Sequence, residues 1–231
     1  MWHKENSALF SQRDAPVQHA GRCAIWLIQA SAAQSADWIF VVSHSESLTL
    51  HFLGLCGSLR RVSSNLALLQ AAVQLAPAGV ELRIADPLDR LPHFNPDVDV
   101  PPLPAGVSAW RAEVAAADAV LICSPEYAFG VPGVLKNALD WLVPSGELYE
   151  KPVGVITASP NEGGAGKAQR HLLDTLTAQA ARLVEGASVS VPFVRKRFDA
   201  TGALTDPEAQ AILRGSLAAL AAAIRAGATA P

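Results

Sequence analysis

Charged residues are scarce in this sequence, and neither sign dominates. Only 17% of the 231 residues are Asp, Glu, Lys or Arg, and the formal net charge is -3. A protein that holds nucleic acid or lies on an anionic membrane needs a concentrated positive field, and no block of like charge supplies one. We therefore expect neither nucleic acid nor a membrane as a partner.

Cysteine is rare, and the residue types that bind metals are not clustered. The three cysteines, Cys23, Cys56 and Cys123, show no C-x-x-C spacing, and two of them lie in apolar runs where a small buried thiol is usual. The six histidines are scattered, without an H-E-x-x-H pattern or a Cys/His cluster. We expect no metal site, and we expect a reducing compartment, which favours the cytoplasm.

The first part of the chain contains no apolar run suited to spanning a membrane. The longest mostly apolar stretch, residues 23–39, is broken by Gln, Ser and Asp. Part of it, CAIWLIQASAAQSA, also resembles a weak signal peptide, which is an alternative interpretation. Residues 1–46 show no sustained hydrophobic period. We expect them to be an extension that is poorly ordered or not part of the fold, and residues 47–231 to form the domain.

From about residue 48, short apolar runs alternate with segments of helical spacing. Strands are predicted at residues 48–55, 80–85, 119–123, 153–157 and 187–191. Helices are predicted at residues 64–75, 107–117, 134–142, 168–182 and 207–226. Strands that alternate with helices form a parallel sheet covered on both faces, so the pattern predicts one α/β domain.

The stretch GSLRRVSSN, residues 57–65, joins the first predicted strand to the first helix. It brings the N–H groups of a helix start together with the side chains of Ser58, Arg60, Ser63 or Ser64, and Asn65. These groups are the ones that bind a terminal phosphate. The alternative is that a serine only caps the helix and the arginines are solvated.

Two common phosphate-binding motifs are missing from this stretch. It is not G-x-x-x-x-G-K-[ST], so the lysine and the magnesium ligand of a nucleotide triphosphatase are absent. GLCG followed by Ser and Leu also fails the G-x-G-x-x-G pattern of a dinucleotide-binding fold. A monophosphate is therefore favoured over a pyrophosphate or a triphosphate.

The loops after the third and fourth strands are also unusual. SPEYAFGVPGVLKNALDWL, residues 124–142, predicts a rigid turn flanked by Tyr127 and Phe129 that could hold the edge of a planar heterocycle. The alternative is a turn that only caps the third helix.

TASPNEGGAGKAQRHL, residues 157–172, supplies Ser159 and a glycine-rich loop that a ligand could approach. A further loop, residues 91–97, could border a substrate or a dimer partner, or could be a packed connector. Ligands of such sheets bind beyond the carboxyl ends of the strands, so the loops after the first, third and fourth strands form one candidate site.

Taken together, GSLRRVSSN, PEYAFGVPGVLKNALDWL and FDATGALTD resemble the NAD(P)H-dependent FMN reductase family of flavodoxin-like proteins, which includes quinone, chromate and azo-dye reductases. The resemblance runs from about residue 50 to the last helix. It implies a flavodoxin-like, doubly wound, five-stranded parallel sheet in the order 2-1-3-4-5. It also implies FMN as the cofactor, NADPH or NADH as the co-substrate, a small-molecule electron acceptor, and a homodimer or homotetramer.

Carried over residue by residue, the resemblance also implies which positions bind the cofactor. The FMN phosphate would be held by Ser58, Arg60, Ser63 and Asn65. The isoalloxazine would be lined by Pro125, Glu126, Tyr127 and Ala128, and Ser159 would complete the ring site. The family usually has Asn where this sequence has Ala128, which removes a side-chain amide but keeps the backbone N–H. Asn161 stands where a glycine is common.

If FMN is bound in this way, the flavin carries the redox chemistry, and no catalytic acid, base or nucleophile is expected from the protein. NAD(P)H and the acceptor, a quinone, chromate, an azo compound or free flavin, would react in turn by a ping-pong mechanism. Glu126 is better suited to a structural pair or a subunit contact than to catalysis. The alternative function is a flavodoxin-type FMN electron carrier without its own NAD(P)H activity. A hydrolase of α/β type is disfavoured because G-x-S-x-G is absent.

Overall fold

The sheet consists of short strands that run in one direction. In the computed structural model, which describes residues 49–228, the strands are β1 (Leu50–Cys56), β2 (Val80–Ile84), β3 (Ala119–Ser124), β4 (Pro152–Ala158), β5 (Arg182–Leu183) and β6 (Val189–Val191). All pairings are parallel in the order β2-β1-β3-β4-β5, and β6 also pairs with β4. The predicted flavodoxin-like order is confirmed. The extension expected at residues 1–46 lies outside the described residues.

Helices cover both faces of the sheet because the central strands are apolar on both sides. The helices are α1 (Ser64–Gln74), α2 (Val107–Ala116), α3 (Gly133–Asp140), α4 (Gly166–Ala178) and α5 (Pro207–Ala228). Successive residues of a strand point to opposite faces, so Phe52 packs in the core with α1 and α5, whereas Leu53 and Leu55 pack with α2, α3 and α4. Within residues 49–228, no helix combines the length and the apolarity needed to cross a lipid bilayer.

The fifth position of the sheet differs from the prediction in detail. Instead of one strand at residues 187–191, two short strands pair with successive parts of β4: β5 with its beginning and β6 with its end. The predicted helix end at residue 182 is wrong, because α4 already ends at Ala178. Ala180 then adopts a φ of 52°, which turns the chain back so that Arg182 can pair with β4.

The connection between β2 and α2 packs against α3. The Pro92 carbonyl accepts hydrogen bonds from Asn137 Nδ2 at 3.0 Å and from Trp141 Nε1 at 2.8 Å. The Phe94 ring meets the Trp141 ring edge-on, with 5.1 Å between the ring centroids. These contacts are those of a packed connector, one of the alternatives considered for residues 91–97.

Candidate cofactor-binding site

Three loops meet beyond the carboxyl ends of β1, β3 and β4. From β1 the chain crosses to β2 on one side and later returns to β3 on the other side, so the strand order reverses between β1 and β3. Open parallel sheets bind ligands at such a point. The first loop is residues 57–63, the second loop is residues 125–132, and the third loop is residues 159–165.

The first loop leads into a helix start whose backbone N–H groups are available. Ser63 Oγ accepts a hydrogen bond from the N–H of Leu66 at 3.3 Å and caps α1. Within the part of the chain that the structure describes, the N–H groups of residues 61–65 donate no hydrogen bond. The first turn of α1 carries no acidic side chain. This helix start can therefore attract an anion through its N–H groups and its dipole.

Asn65 ties this helix start to the sheet. Its side chain is only 5% exposed. Its Nδ2 donates to the carbonyl of Ala158 at 3.5 Å, at the end of β4. Its Oδ1 accepts from the thiol of Cys123 at 3.4 Å, in β3. The amide is therefore fixed between the two strands that precede the second and third loops.

Ser58 and Arg60 lie on the other side of the first loop. Ser58 Oγ accepts from the N–H of Arg60 at 3.3 Å and lies 3.5 Å from the hydroxyl of Tyr127. The Arg60 side chain is exposed. The loop passes close to β3 at Gly57, where a Cβ atom would lie 2.6 Å from Ser124 Oγ. A larger residue than glycine would push the first loop away from the second.

Two thiols lie below the first loop, at paired positions of β1 and β3. Burial raises the pKa of the Cys56 thiol, and it raises the pKa of the Cys123 thiol further, with the neighbouring Cys56 as a second cause. Cys56 Sγ donates to the carbonyl of Ser58 at 3.4 Å. Both thiols are therefore protonated donors, Cys56 to the first loop and Cys123 to Asn65 in α1, and raised pKa values make them poor nucleophiles.

The second loop contains a tight turn. Tyr127 N–H donates to the Gly130 carbonyl at 3.1 Å, and Gly130 N–H donates back to the Tyr127 carbonyl at 2.9 Å. The two residues between them, Ala128 and Phe129, have positive φ values of 49° and 63°. Such a turn normally contains Asn or Gly, so two ordinary side chains make it strained. Tyr127 and Phe129 are 48% and 63% exposed, as the sequence predicted for aromatics flanking this turn.

Glu126 connects the second loop to α4. Its Oε2 accepts hydrogen bonds from the backbone N–H groups of Lys167 and Ala168, both at 3.0 Å. The carboxylate therefore lies at the first turn of α4, where its charge opposes the helix dipole. This contact is a structural pair, which is one of the two roles that the sequence favoured for Glu126.

The third loop is held against the segment that follows β6. Ser159 Oγ accepts from the Asn161 N–H at 3.1 Å, and the Ser159 carbonyl accepts from the Val194 N–H at 3.0 Å. Gly164 has a φ of 56°, and a Cβ atom there would lie 2.9 Å from the Cβ of Ser190. Glycine is thus required for the close approach to β6.

A cleft of about 230 Å³ lies between the three loops. Eight of the nine predicted cofactor-binding residues line it: Ser58, Arg60, Ser63, Asn65, Pro125, Glu126, Tyr127 and Ser159. The ninth, Ala128, does not line the cleft and lies at the exposed tip of the second-loop turn. The structure therefore brings eight residues from the three loops into one space, including those predicted for the phosphate and those predicted for the ring.

Arg195 also lines this cleft and was not predicted. It lies in a short 3₁₀ helix that follows β6. Arg197 in the same helix pairs with Asp206 at 2.8 Å and with Glu208 at 2.6 Å, whereas Arg195 has no ion pair within the described residues. Among residues 49–228, Arg60 and Arg195 are the two basic residues that line the cleft. In the sequence, the only signal for Arg195 was the run RKR at residues 195–197, which does not show which of the three residues lines the cleft.

The donor set fits FMN. Free helix N–H groups, serine hydroxyls and two arginines suit a phosphate monoester. The backbone N–H group of Glu126, which lines the cleft, has no acceptor within the described residues, so the second loop can donate to the edge of a planar ring. Among residues 49–228, no cluster of three or more His, Cys, Asp or Glu side chains could hold a metal ion.

Comparison with known proteins agrees with this donor set. The model of the family described as NADPH-dependent FMN reductase matches residues 50–196. An NAD(P)H-dependent FMN reductase of Pseudomonas aeruginosa is 37% identical over 170 residues, which cover 73% of this chain and 91% of that protein. A quinone reductase of Escherichia coli K12 is 33% identical over 174 residues, which cover 74% of this chain and 93% of that protein.

A solved structure shows the same similarity in three dimensions. FerB, a flavoenzyme NAD(P)H:(acceptor) oxidoreductase from Paracoccus denitrificans, superimposes with a TM-score of 0.66 at 30% identity. The match covers 77% of this chain and 98% of that protein. Since the family model also spans more than half of the sequence, the chain belongs to the NADPH-dependent FMN reductase family, and the expectation of an FMN- and NAD(P)H-dependent oxidoreductase is confirmed.

Proposed function

We propose that this protein oxidises NAD(P)H and passes the electrons, through FMN bound in the cleft, to a small-molecule acceptor such as a quinone, chromate, an azo compound or free flavin. The observation that carries the proposal is the start of α1. Its N–H groups, which have no acceptor within residues 49–228, and the side chains of Ser58, Ser63 and Asn65 border the same cleft as the second and third loops. A phosphate monoester held there would place an attached ring beside those two loops.

The first loop would hold the phosphate. The N–H groups of residues 61–65 would donate to its oxygens, together with the hydroxyls of Ser58 and Ser63. Arg60 and Arg195, which both line the cleft, would balance its charge. Asn65 would act partly through its fixed position, because its amide already bridges β3 and β4.

The second and third loops would hold the ring. The N–H group of Glu126 has no acceptor within the described residues and would donate to the ring, and Pro125, Tyr127 and Ser159 would border it. Donors aimed at the ring would also stabilise negative charge that develops there on reduction. When bound, FMN supplies the redox chemistry by accepting reducing equivalents from NAD(P)H and giving them to the acceptor.

The residues around the cleft provide binding and charge rather than proton transfer. The Glu126 carboxylate is already engaged by two backbone N–H groups, and the two nearby thiols are held protonated by burial. NAD(P)H and the acceptor would react one after the other at this cleft, which gives ping-pong kinetics. Parallel lines in double-reciprocal plots with NADPH and a quinone would support this order, and intersecting lines would contradict it.

Two substitutions test the phosphate assignment. Ser58→Ala and Asn65→Ala should each weaken FMN binding about tenfold, because one hydrogen bond to a charged phosphate is worth about 1.5 kcal/mol. Binding is measured by quenching of flavin fluorescence on titration with the apoprotein. Ser108→Ala, an exposed serine on α2, is the matched control and should leave the affinity unchanged. Unchanged affinity in both cleft variants would remove the phosphate assignment.

An electron carrier without NAD(P)H activity is distinguished by one assay. Oxidation of NADPH or NADH, followed by absorbance with a quinone present, is expected for the enzyme and not for the carrier. We also propose that the protein works in the cytoplasm as a homodimer or homotetramer. The exposed aromatics of the second loop support self-association, and light scattering of the purified protein would test it.

A further inference from the structure

The cofactor cleft continues into a second compartment of about 410 Å³. The two spaces share Glu126, Ser159 and Asn161. Beyond these residues, the second compartment is lined by Phe129, Lys167 and Arg170. It therefore borders the side of the cleft that the second and third loops form, away from the first loop.

Two basic side chains, Lys167 and Arg170, line this compartment, and no described acidic side chain pairs with either. Neither Lys167 nor Arg170 forms an ion pair within the described residues, although Asp174 lies one turn after Arg170 on α4. On α3, by contrast, Lys136 and Asp140 at the same spacing are paired at 2.6 Å. The cations on α4 are thus available to a ligand.

Glu126, the one acidic residue of the described part of the chain that lines the compartment, is already engaged. Both backbone N–H groups at the first turn of α4 donate to Glu126, so the carboxylate is partly compensated and the helix start is occupied. An anion in this compartment would therefore be bound by the side chains of Lys167 and Arg170 rather than by the helix terminus.

Phe129 fixes the position of one cation. Lys167 Nζ lies 3.6 Å from the centroid of the Phe129 ring, within the range of a cation–π contact. The ring itself is presented by a backbone with a φ of 63° and is 63% exposed. The second loop therefore places an aromatic face and an ammonium group together at the wall of the compartment.

We propose that the second compartment is an anion subsite for the molecule that reacts with the bound flavin. This proposal rests on the proposed function, in which FMN occupies the adjoining cleft. Arg170 would bind a phosphate or sulfonate through two N–H groups, and Lys167 would add a point charge. The ligand is a planar co-substrate with an anionic substituent, either the 2′-phosphate of NADPH or an acidic group on the electron acceptor.

The test uses pairs of substrates that differ in one charged group. NADPH is compared with NADH in the half-reaction that reduces the flavin, and 1,2-naphthoquinone-4-sulfonate is compared with 1,2-naphthoquinone in the half-reaction that oxidises it. Both are followed by stopped-flow absorbance in the FMN-loaded wild type, Lys167→Gln, Arg170→Gln and the double variant. Arg214→Gln, an exposed cation on α5, is the control and should behave as wild type.

We expect each single substitution to lower the second-order rate constant about tenfold for the charged member of a pair and much less for the neutral member. A change confined to NADPH identifies the nicotinamide phosphate as the ligand, and a change confined to the sulfonate identifies the acceptor. For each pair, the rate constant for the charged substrate is divided by that for the neutral one. If this ratio is the same in the wild type and the double variant for both pairs, the proposed subsite is wrong.

Failure of the subsite can be told apart from failure of the proposed function. Wild type that binds FMN and oxidises NAD(P)H, with ratios unaffected by the substitutions, removes only the subsite. Wild type that binds no FMN removes both. FMN affinity is measured in each variant, and it should equal that of the wild type because neither side chain lines the phosphate-binding part of the cleft.

Discussion

Glu126 is predicted to stabilise the start of α4 and not to transfer a proton. Its carboxylate accepts two backbone N–H groups at 3.0 Å on the first turn of a 13-residue helix. Glu126→Gln keeps the shape and one neutral acceptor but removes the charge. The lost charge–dipole interaction is worth about 0.3–1 kcal/mol, and weaker, uncharged hydrogen bonds cost about 1 kcal/mol more. The free energy of unfolding should therefore fall by about 1–2 kcal/mol, which lowers Tm by roughly 2–8 °C.

Thermal denaturation tests the predicted loss of stability, and steady-state kinetics over a range of pH test whether Glu126 transfers a proton. With NADPH and a quinone, kcat should change by less than about threefold, and the shape of its pH profile should be kept. A general acid would contribute about 100-fold or more. A loss of that size with an unchanged Tm would refute the reasoning.

The control for this substitution is Glu162→Gln. Glu162 is an exposed glutamate of the third loop that makes no hydrogen bond or ion pair with other described residues. Its substitution should change neither Tm nor kcat. A similar loss of Tm in both variants would mean that net charge, and not the contact with α4, determines the effect.

Two further predictions concern stability. Ala128→Asn should raise the free energy of unfolding, measured by urea titration, by about 1 kcal/mol, because Asn tolerates the φ of 49° that strains alanine. The control is Ala105→Asn, at a position without positive φ, which should give no gain. The pKa of Asp206 is lowered by the N–H of Ala209 and by Arg197, so its stabilising contribution is present at neutral pH and is lost as the pH falls through that lowered pKa. Asp206→Asn should therefore lower the urea midpoint at neutral pH and make the midpoint fall less in acid, and parallel pH profiles would contradict this.

The layers of the fold could be predicted because the apolar runs are short and the helical segments between them have one apolar face. The strand order itself came from the family resemblance and not from periodicity. The end of α4 could not be predicted, because Ala180 and Ala181 favour a helix as strongly as the residues before them. There the pairing of β5 with β4 overrides local preference.

The first-loop residues that line the cleft could be found in the sequence because they lie within nine consecutive positions at a strand-to-helix junction. The role of Glu126 was not visible in detail, since its partners on α4 are 41 and 42 residues away. Arg195 was missed because it begins a run of three basic residues. Only the fold distinguishes it from Arg197, which forms ion pairs with Asp206 and Glu208. The positive φ of Ala128 has no local signal, because alanine rarely adopts it.

The most direct test of the central claim compares the affinities of the apoprotein for FMN and for riboflavin, which differ only by the phosphate. At least two charged hydrogen bonds from the start of α1 and the first loop should make FMN bind about 100-fold more tightly or better. Titration calorimetry gives both dissociation constants under the same conditions. Equal affinities for the two flavins would contradict the account, since the ring would then be held without the phosphate-binding start of α1.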